Sequence, residues 1–436
     1  MNSSVSYFEL PLFTNLLLLL VFAKFLGEIF ERFKQPAMIG EILAGIILGP
    51  TVLNIIHKTS EINTISDLGV FFLVIIAGLQ IDFGDIVKSL KGKKIIISIM
   101  AFFVPFISGL CVGHFFDLAV MPTLFVGLCI AITALPVSIR ILMDLGKINS
   151  DIGKKIISVS IFDDVVALTI LGLILNVNNT DLSVSSIVKT SAFSLLKLSG
   201  FLLLLVIAYR AIKRATNKEN YLELKLDKLL SVLKGKESLF ALFFVFVLIF
   251  ATITESLGFH FVIGSFFAAM LISEKSVGKV HWESFHNTTN SLAMGFLSPI
   301  FFAAIGLEFN FYSIQNYWLL IAILLVSYFS KIVGGFAGAR IAGLNNRISI
   351  TIGMGLNARG IMELVIANIA YTSGLMSLEI FSMLVIMGII TTLSTPSMLK
   401  RGFALAEKGR PKRKHRTKNS KKQVLKTEAH KSTTSI

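Results

Sequence analysis

Residues 39–49 read IGEILAGIILG, and residues 263–272 read IGSFFAAMLI. The second stretch repeats the first at a displacement of 224 positions. A longer echo follows. Residues 70–83 read VFFLVIIAGLQIDF, and residues 300–311 read IFFAAIGLEFNF, displaced by 228. Apolar segments resemble one another by chance. The shared GLQIDF and GLEFNF ends, and the preserved order, favour a true internal repeat over that coincidence.

The surrounding chain fits such a repeat. Thirteen apolar runs, each close to the roughly 20 residues that cross a bilayer, lie near 8–30, 36–56, 64–81, 93–116, 119–142, 153–176, 186–212, 237–257, 259–274, 289–309, 314–340, 347–373 and 377–399. The first six (about 8–176) form one copy, the last six (about 237–399) the other, and 186–212 is a linker. An odd linker turns the second copy over. Inverted repeats of this kind organise many secondary transporters, with the site at mid-membrane between the copies.

Composition agrees. The 436 residues are 54% hydrophobic and only 15% charged, with a mean hydropathy of +0.78. A soluble chain carries about a quarter charged residues. These values exclude a soluble enzyme, a disordered chain and a disulfide-stapled secreted domain. Cys111 and Cys129 both lie in apolar runs, so neither a disulfide framework nor a cysteine metal site is expected.

The net charge of +15 is unevenly placed, with thirteen of the 41 Lys and Arg at or beyond Lys400. The tail 401–436 is expected to be disordered and to lie against anionic lipid, with no nucleic acid as partner. The loop Lys and Arg fall on one side of the membrane, except Lys58 and Lys189. The positive-inside rule then puts the N-terminus outside and the C-terminus in the cytoplasm. The first run lacks a cleavage site and reads as an anchor. No transit peptide is evident, which fits a bacterial inner membrane.

Two runs are interrupted at corresponding places. Shifting Thr133 by 224 gives Asn357, in the stretches AITALPVS (131–138) and GLNARGIM (355–362). Pro136 removes a backbone hydrogen bond, and Gly355 and Gly360 loosen the other run. Backbone freed at mid-membrane is tolerated where it is buried or lines a water-filled cavity. Both runs are therefore expected to be broken helices that cross.

The sixth run, KKIISVSIFDDVVALTILGLIL (154–175), holds Asp163 and Asp164 at its centre. Acids at that depth mark ion or proton paths. Adjacent acids repel, so the pair is expected to hold a proton part of the time. Neighbours on a helix point about 100° apart, so the two take different partners. Ser160 lies one turn before Asp164 on the same face. Lys331 sits deep in LLVSYFSKIVGGFAGARIAG (324–343) and is expected to pair with one aspartate while the other holds the transported ion. A static ion pair would explain one aspartate but not two. Arg359 and Glu363, at i and i+4, are expected to pair in support of the broken helix. Glu41 reads as structural, and Lys24 and Lys197 have no evident acidic partner. His281 and His286 fall in a cytoplasmic loop.

With these residues in place, the chain resembles the monovalent cation:proton antiporter-2 family. That family holds bacterial Na+/H+ antiporters, the Kef potassium-efflux systems and plant cation/H+ exchangers. The resemblance runs through about residues 10–400: IGEILAGIILGP, LPVSIRILMDLG, FDDVVAL, PIFFAAIGL, SKIVGGFAGARIAG and GLNARGIMELVIANIA. It implies a dimerisation bundle and a mobile core bundle with crossed broken helices. It implies that Asp164 carries cation or protons in turn, that Asp163 pairs with Lys331 in electrogenic members, and that Thr133 and Asn357 mark the crossing. The Kef systems have glutamine in place of the first aspartate and a nucleotide-binding domain after the membrane part. Asp163 and the short basic tail depart from both, which favours an exchanger.

The expectation is an all-α polytopic membrane protein with two inverted six-helix repeats. It would exchange Na+, K+ or Li+ for H+ by an elevator-like movement, as a homodimer, without a cofactor. A Na+-coupled symporter for a small organic anion is the alternative on the same fold. An intramembrane aspartyl protease would need its two acids facing each other from different helices. Here they are neighbours on one.

Overall fold

The computed structural model describes residues 10–81, 94–177, 184–216 and 237–407. These residues form helices joined by short connections. The helices are α1 (Leu12–Arg32), α2 (Ala37–Leu48), α3 (Ser60–Leu79), α4 (Lys94–Phe115), α5 (Val120–Ala131), α6 (Leu135–Asp144), α7 (Asp151–Val177) and α8 (Val184–Thr216). They continue with α9 (Ser238–Ser256), α10 (Phe261–Leu271), α11 (Lys279–Leu292), α12 (Ser298–Glu308), α13 (Tyr317–Ile341), α14 (Asn346–Gly355), α15 (Ile361–Thr372) and α16 (Leu378–Glu407). Among the described residues, nine helical segments are long and apolar enough to cross a membrane.

Polar residues start several of these helices. The side chains of Thr59, Asn316 and Asn345 accept the amides of Ile62, Leu319 and Ile348. Each satisfies a donor that a helix start leaves open.

The packing repeats as the sequence does. A Cβ on Gly40 would lie 2.4 Å from the Leu26 carbonyl oxygen, and one on Gly264 would lie 2.2 Å from that of Phe250. Both residues of the second pair are those of the first plus 224. A Cβ on Gly78 of the first copy would lie 2.5 Å from the Phe266 carbonyl oxygen of the second, and one on Gly306 of the second would lie 2.1 Å from the Ile42 carbonyl oxygen of the first. Only glycine allows these backbone approaches, and their reciprocity is what a two-fold relation between copies produces.

Contacts sort the helices into two bundles, each drawing on both copies. One contains α1–α3 and α9–α12; the other contains α4–α7 and α13–α16. They meet where α3 touches α15 and α7 touches α10, while α8 packs on α7 and α10.

Four expectations need correction. The runs at 36–56 and 259–274 give shorter helices, α2 and α10. After α2 the chain folds back through Gly49, so that the Leu53 and Ile55 amides bond to the carbonyls of Ile47 and Leu48. His281 and His286 lie on α11, not in a loop. A five-residue π turn, Ala293–Leu297, joins α11 to α12. The basic tail begins later than expected. α16 continues to Glu407 because Leu399 and Phe403 are buried, Thr351 donates to the Gly402 carbonyl at 2.8 Å, and Lys147 pairs with Glu407 at 2.5 Å. The rest of the tail, 408–436, lies outside the described residues.

Candidate ion-binding site at the helix crossing

The two interrupted runs unwind at matching places. Ile132–Ala134 is extended between α5 and α6, and Leu356–Gly360 separates α14 from α15. The segments are bonded to each other. The Thr133 hydroxyl donates to the Leu356 carbonyl at 3.0 Å, and the Ala134 amide donates to the Ala358 carbonyl at 2.9 Å. Gly360 permits the approach, since a Cβ there would lie 2.6 Å from that of Ala134. Thus part of the backbone freed by unwinding finds its partner on the other copy.

Lys331, on α13, reaches this crossing fully buried. Its ammonium lies 2.8 Å from Asp163 Oδ2, donates to the Ala101 carbonyl at 3.0 Å, and also donates to the Ala131 carbonyl. Arg359, within the unwound segment, donates to the Cys129 carbonyl at 2.9 Å and to that of Ile132. Both cations therefore cover the C-terminal carbonyls of α5, where a helix presents partial negative charge. Glu363, in the first turn of α15, sits at the opposite, positive kind of end.

The acids differ sharply. Asp163 is held by Lys331 and lies beside the Thr133 hydroxyl. Asp164 is 1% exposed, and neither of its oxygens has a hydrogen-bond partner. Asp163 Oδ1 and Asn357 Oδ1 are buried and unpartnered as well. An ionised carboxylate in such surroundings is costly unless a cation or a proton meets it. Unoccupied carboxylate and amide oxygens are the ligands that hard cations take.

Two supporting assignments change. The Ser160 hydroxyl donates to the carbonyl of Ile156 on its own helix at 3.1 Å, not to Asp164. Arg359 and Glu363 form no ion pair. The i, i+4 argument assumed a continuous helix, but α15 begins only after Gly360. Arg359 turns instead to the carbonyls of α5, and both Glu363 oxygens are buried without a hydrogen-bond partner. The anchoring role of Arg359 was missed. An arginine inside an unwound stretch was the signal, since unwinding elsewhere frees carbonyls that need donors. Lys24 does have an acid, Glu41, at 3.9 Å, and Lys197 donates to the Leu257 carbonyl at 3.0 Å.

Comparison with known proteins agrees with this architecture. The family model described as sodium/hydrogen exchanger, transmembrane, matches residues 17–403. The chain is 30% identical to the probable Na(+)/H(+) antiporter GerT of Bacillus cereus, over 91% of this chain and 99% of that one. It is 27% identical to the Na(+)/H(+)-K(+) antiporter GerN of the same organism, over 92% and 98% of the two chains. The solved sodium proton antiporter MjNhaP1 of Methanocaldococcus jannaschii shares the fold, with a TM-score of 0.65, 16% identity, and coverage of 90% of this chain and 97% of that one. A polytopic helical chain, crossed at its centre by two unwound segments with two aspartates and a lysine between them, thus belongs to the sodium/hydrogen exchanger family.

Proposed function

We propose that the chain is a secondary antiporter exchanging Na+ or K+ for H+ across a cell's inner membrane. The observation that carries this reading is Asp164. It is buried, without a hydrogen-bond partner, and adjacent to an acid already held by Lys331. Cation and proton compete for its oxygens, so one leaves as the other arrives. Asp163 and Lys331 form the second part of the device. A cation arriving at the acids weakens the hold of Asp163 on Lys331, and a proton released there would make exchange move net charge. Thr133 and Asn357 line the crossing, while Arg359 and Glu363 balance the ends of the half-helices.

In this reading the bundle holding α4–α7 and α13–α16 carries the site as one body past the other bundle. The few contacts between the bundles support such an elevator-like movement. Our reading also comprises 13 crossings, repeats at about 8–176 and 237–399, an outside N-terminus, a cytoplasmic C-terminus and a homodimer in the lipid. No observation at the site favours the symporter alternative, and the neighbouring positions of the two acids on α7 do not suit an aspartyl protease.

The test is cation-triggered proton movement in proteoliposomes with an imposed pH gradient and a pH-sensitive dye. Na+, Li+ and K+ are added separately. One or more should dissipate the gradient with the native chain and none with Asp164→Asn. Equal dissipation by the folded variant would refute the role given to Asp164.

A further inference from the structure

A cavity of about 340 Å³ lies between the two bundles, at the end where α1 and α6 finish. It reaches inward to Pro136 and Ile361, which flank the two unwound segments. Three carboxylates line it, Glu28, Glu31 and Glu41, against two cations, Lys24 and Arg140. Two of these carboxylates are engaged: Glu31 accepts from Arg140 at 2.7 Å and Glu28 from Arg32 at 3.1 Å.

Glu41 is held differently. It is 4% exposed, and Lys24 stands 3.9 Å away, its own side chain 46% exposed. The Lys24 ammonium also donates to the Met294 carbonyl. Met294 belongs to the π turn Ala293–Leu297, where backbone hydrogen bonds leave the α register. A buried carboxylate and a backbone carbonyl thus hold a positive charge on a long flexible tether. Oxygen ligands of this type also suit a hard metal cation. The lysine stem can carry its ammonium out to water at little cost.

We propose that Glu41 and the Met294 carbonyl form a second cation site, in the cavity that reaches Pro136 and Ile361 beside the unwound segments, which Lys24 occupies as a tethered competitor. The ligand is a monovalent cation, and the proposal rests on the antiporter reading. Lys24 then sets how much cation must be present before one enters. Entry requires displacing the ammonium, and removing it should raise affinity without touching the site at the crossing.

The experiment measures equilibrium binding of radioactive sodium and rubidium to the full-length chain in detergent, in the Asp164→Asn background. It therefore reads the new site whether or not the chain transports. The expected result is one saturable site, tightened about two- to five-fold by Lys24→Met, unchanged by Lys24→Arg and lost in Glu41→Gln. In proteoliposomes with Asp164 intact, Lys24→Met should lower the cation KM by a similar factor. Absence of saturable binding in the Asp164→Asn, Lys24→Met chain overturns the proposal. If Glu41→Gln does not fold, the lysine variants decide alone, and equal affinity in Lys24→Met and Lys24→Arg overturns it.

Discussion

Removing either partner of the Lys331–Asp163 pair should cost unequal amounts, and the structure says which costs more. At 2.8 Å the two charges attract by about 6 kcal/mol at an effective dielectric of about 20. Desolvation of both ions offsets most of that gain. What remains is decided by who is left behind. In Asp163→Asn, Lys331 keeps the carbonyls of Ala101 and Ala131, so the ammonium is still hydrogen-bonded. The loss is one charge-assisted bond, about 1.5–3 kcal/mol. In Lys331→Met, Asp163 loses its ion-pair partner and the end of α5 loses one of its two covering cations. Breaking a buried pair in this way costs about 3–5 kcal/mol. The double variant leaves no charge stranded and should cost no more than Lys331→Met alone. The coupling is then at least the cost of Asp163→Asn itself, about 1.5–3 kcal/mol, well above what unlinked sites show. The assay is equilibrium unfolding in mixed detergent micelles, following Trp282 and Trp318. Equal costs, or singles that simply add in the double variant, would refute the idea that Lys331 serves both the acid and the helix end.

Two further outcomes follow from the crossing. Gly360→Ala places a Cβ 2.6 Å from that of Ala134, so the unwound segments must part. Overpacking of this kind costs about 1–3 kcal/mol, and a melting curve that matches the native chain would contradict the crossing geometry. Thr133→Val removes the hydroxyl that holds Leu356, leaving a buried carbonyl short of a donor. A loss of about 1–3 kcal/mol is expected in the same unfolding assay, with Thr133→Ser restoring most of it.

Much of this fold was legible because membrane burial leaves a coarse record. The repeat was readable from the GLQIDF and GLEFNF ends, and the structure returns it as reciprocal approaches of Gly78 and Gly306. The pairing of Lys331 with Asp163 was readable because a buried ammonium must find an acid, and α7 offered the acids. Other features left no such record. Hydropathy does not mark where a helix stops if the apolar residues continue, so α2 and α10 were read too long. The partners of Arg359 depend on unwinding two copies at once, and a periodic reading of one run turned it toward Glu363 instead. The contact of Lys24 with Glu41 joins α1 to α2 across a corner that spacing alone does not describe. The π turn lies inside an apolar run whose hydropathy does not mark it, just before Pro299.

The hydrogen bonds between the unwound segments also set a schedule for synthesis. The Leu356 carbonyl that receives the Thr133 hydroxyl lies 223 residues later in the chain, and the guanidinium covering Ile132 lies 227 residues later. At about 5–20 residues per second, the ribosome needs roughly 10–45 s to supply those partners. Until then the end of α5 lacks Arg359, and over the first 200 residues of that wait it lacks Lys331 as well. The nascent first half must therefore be sheltered by water, by the insertion machinery or by a provisional fold, and a chain cut before Lys331 would stay in that condition permanently. A ribosome stalled anywhere between the two copies would leave a product fit for quality control rather than for assembly.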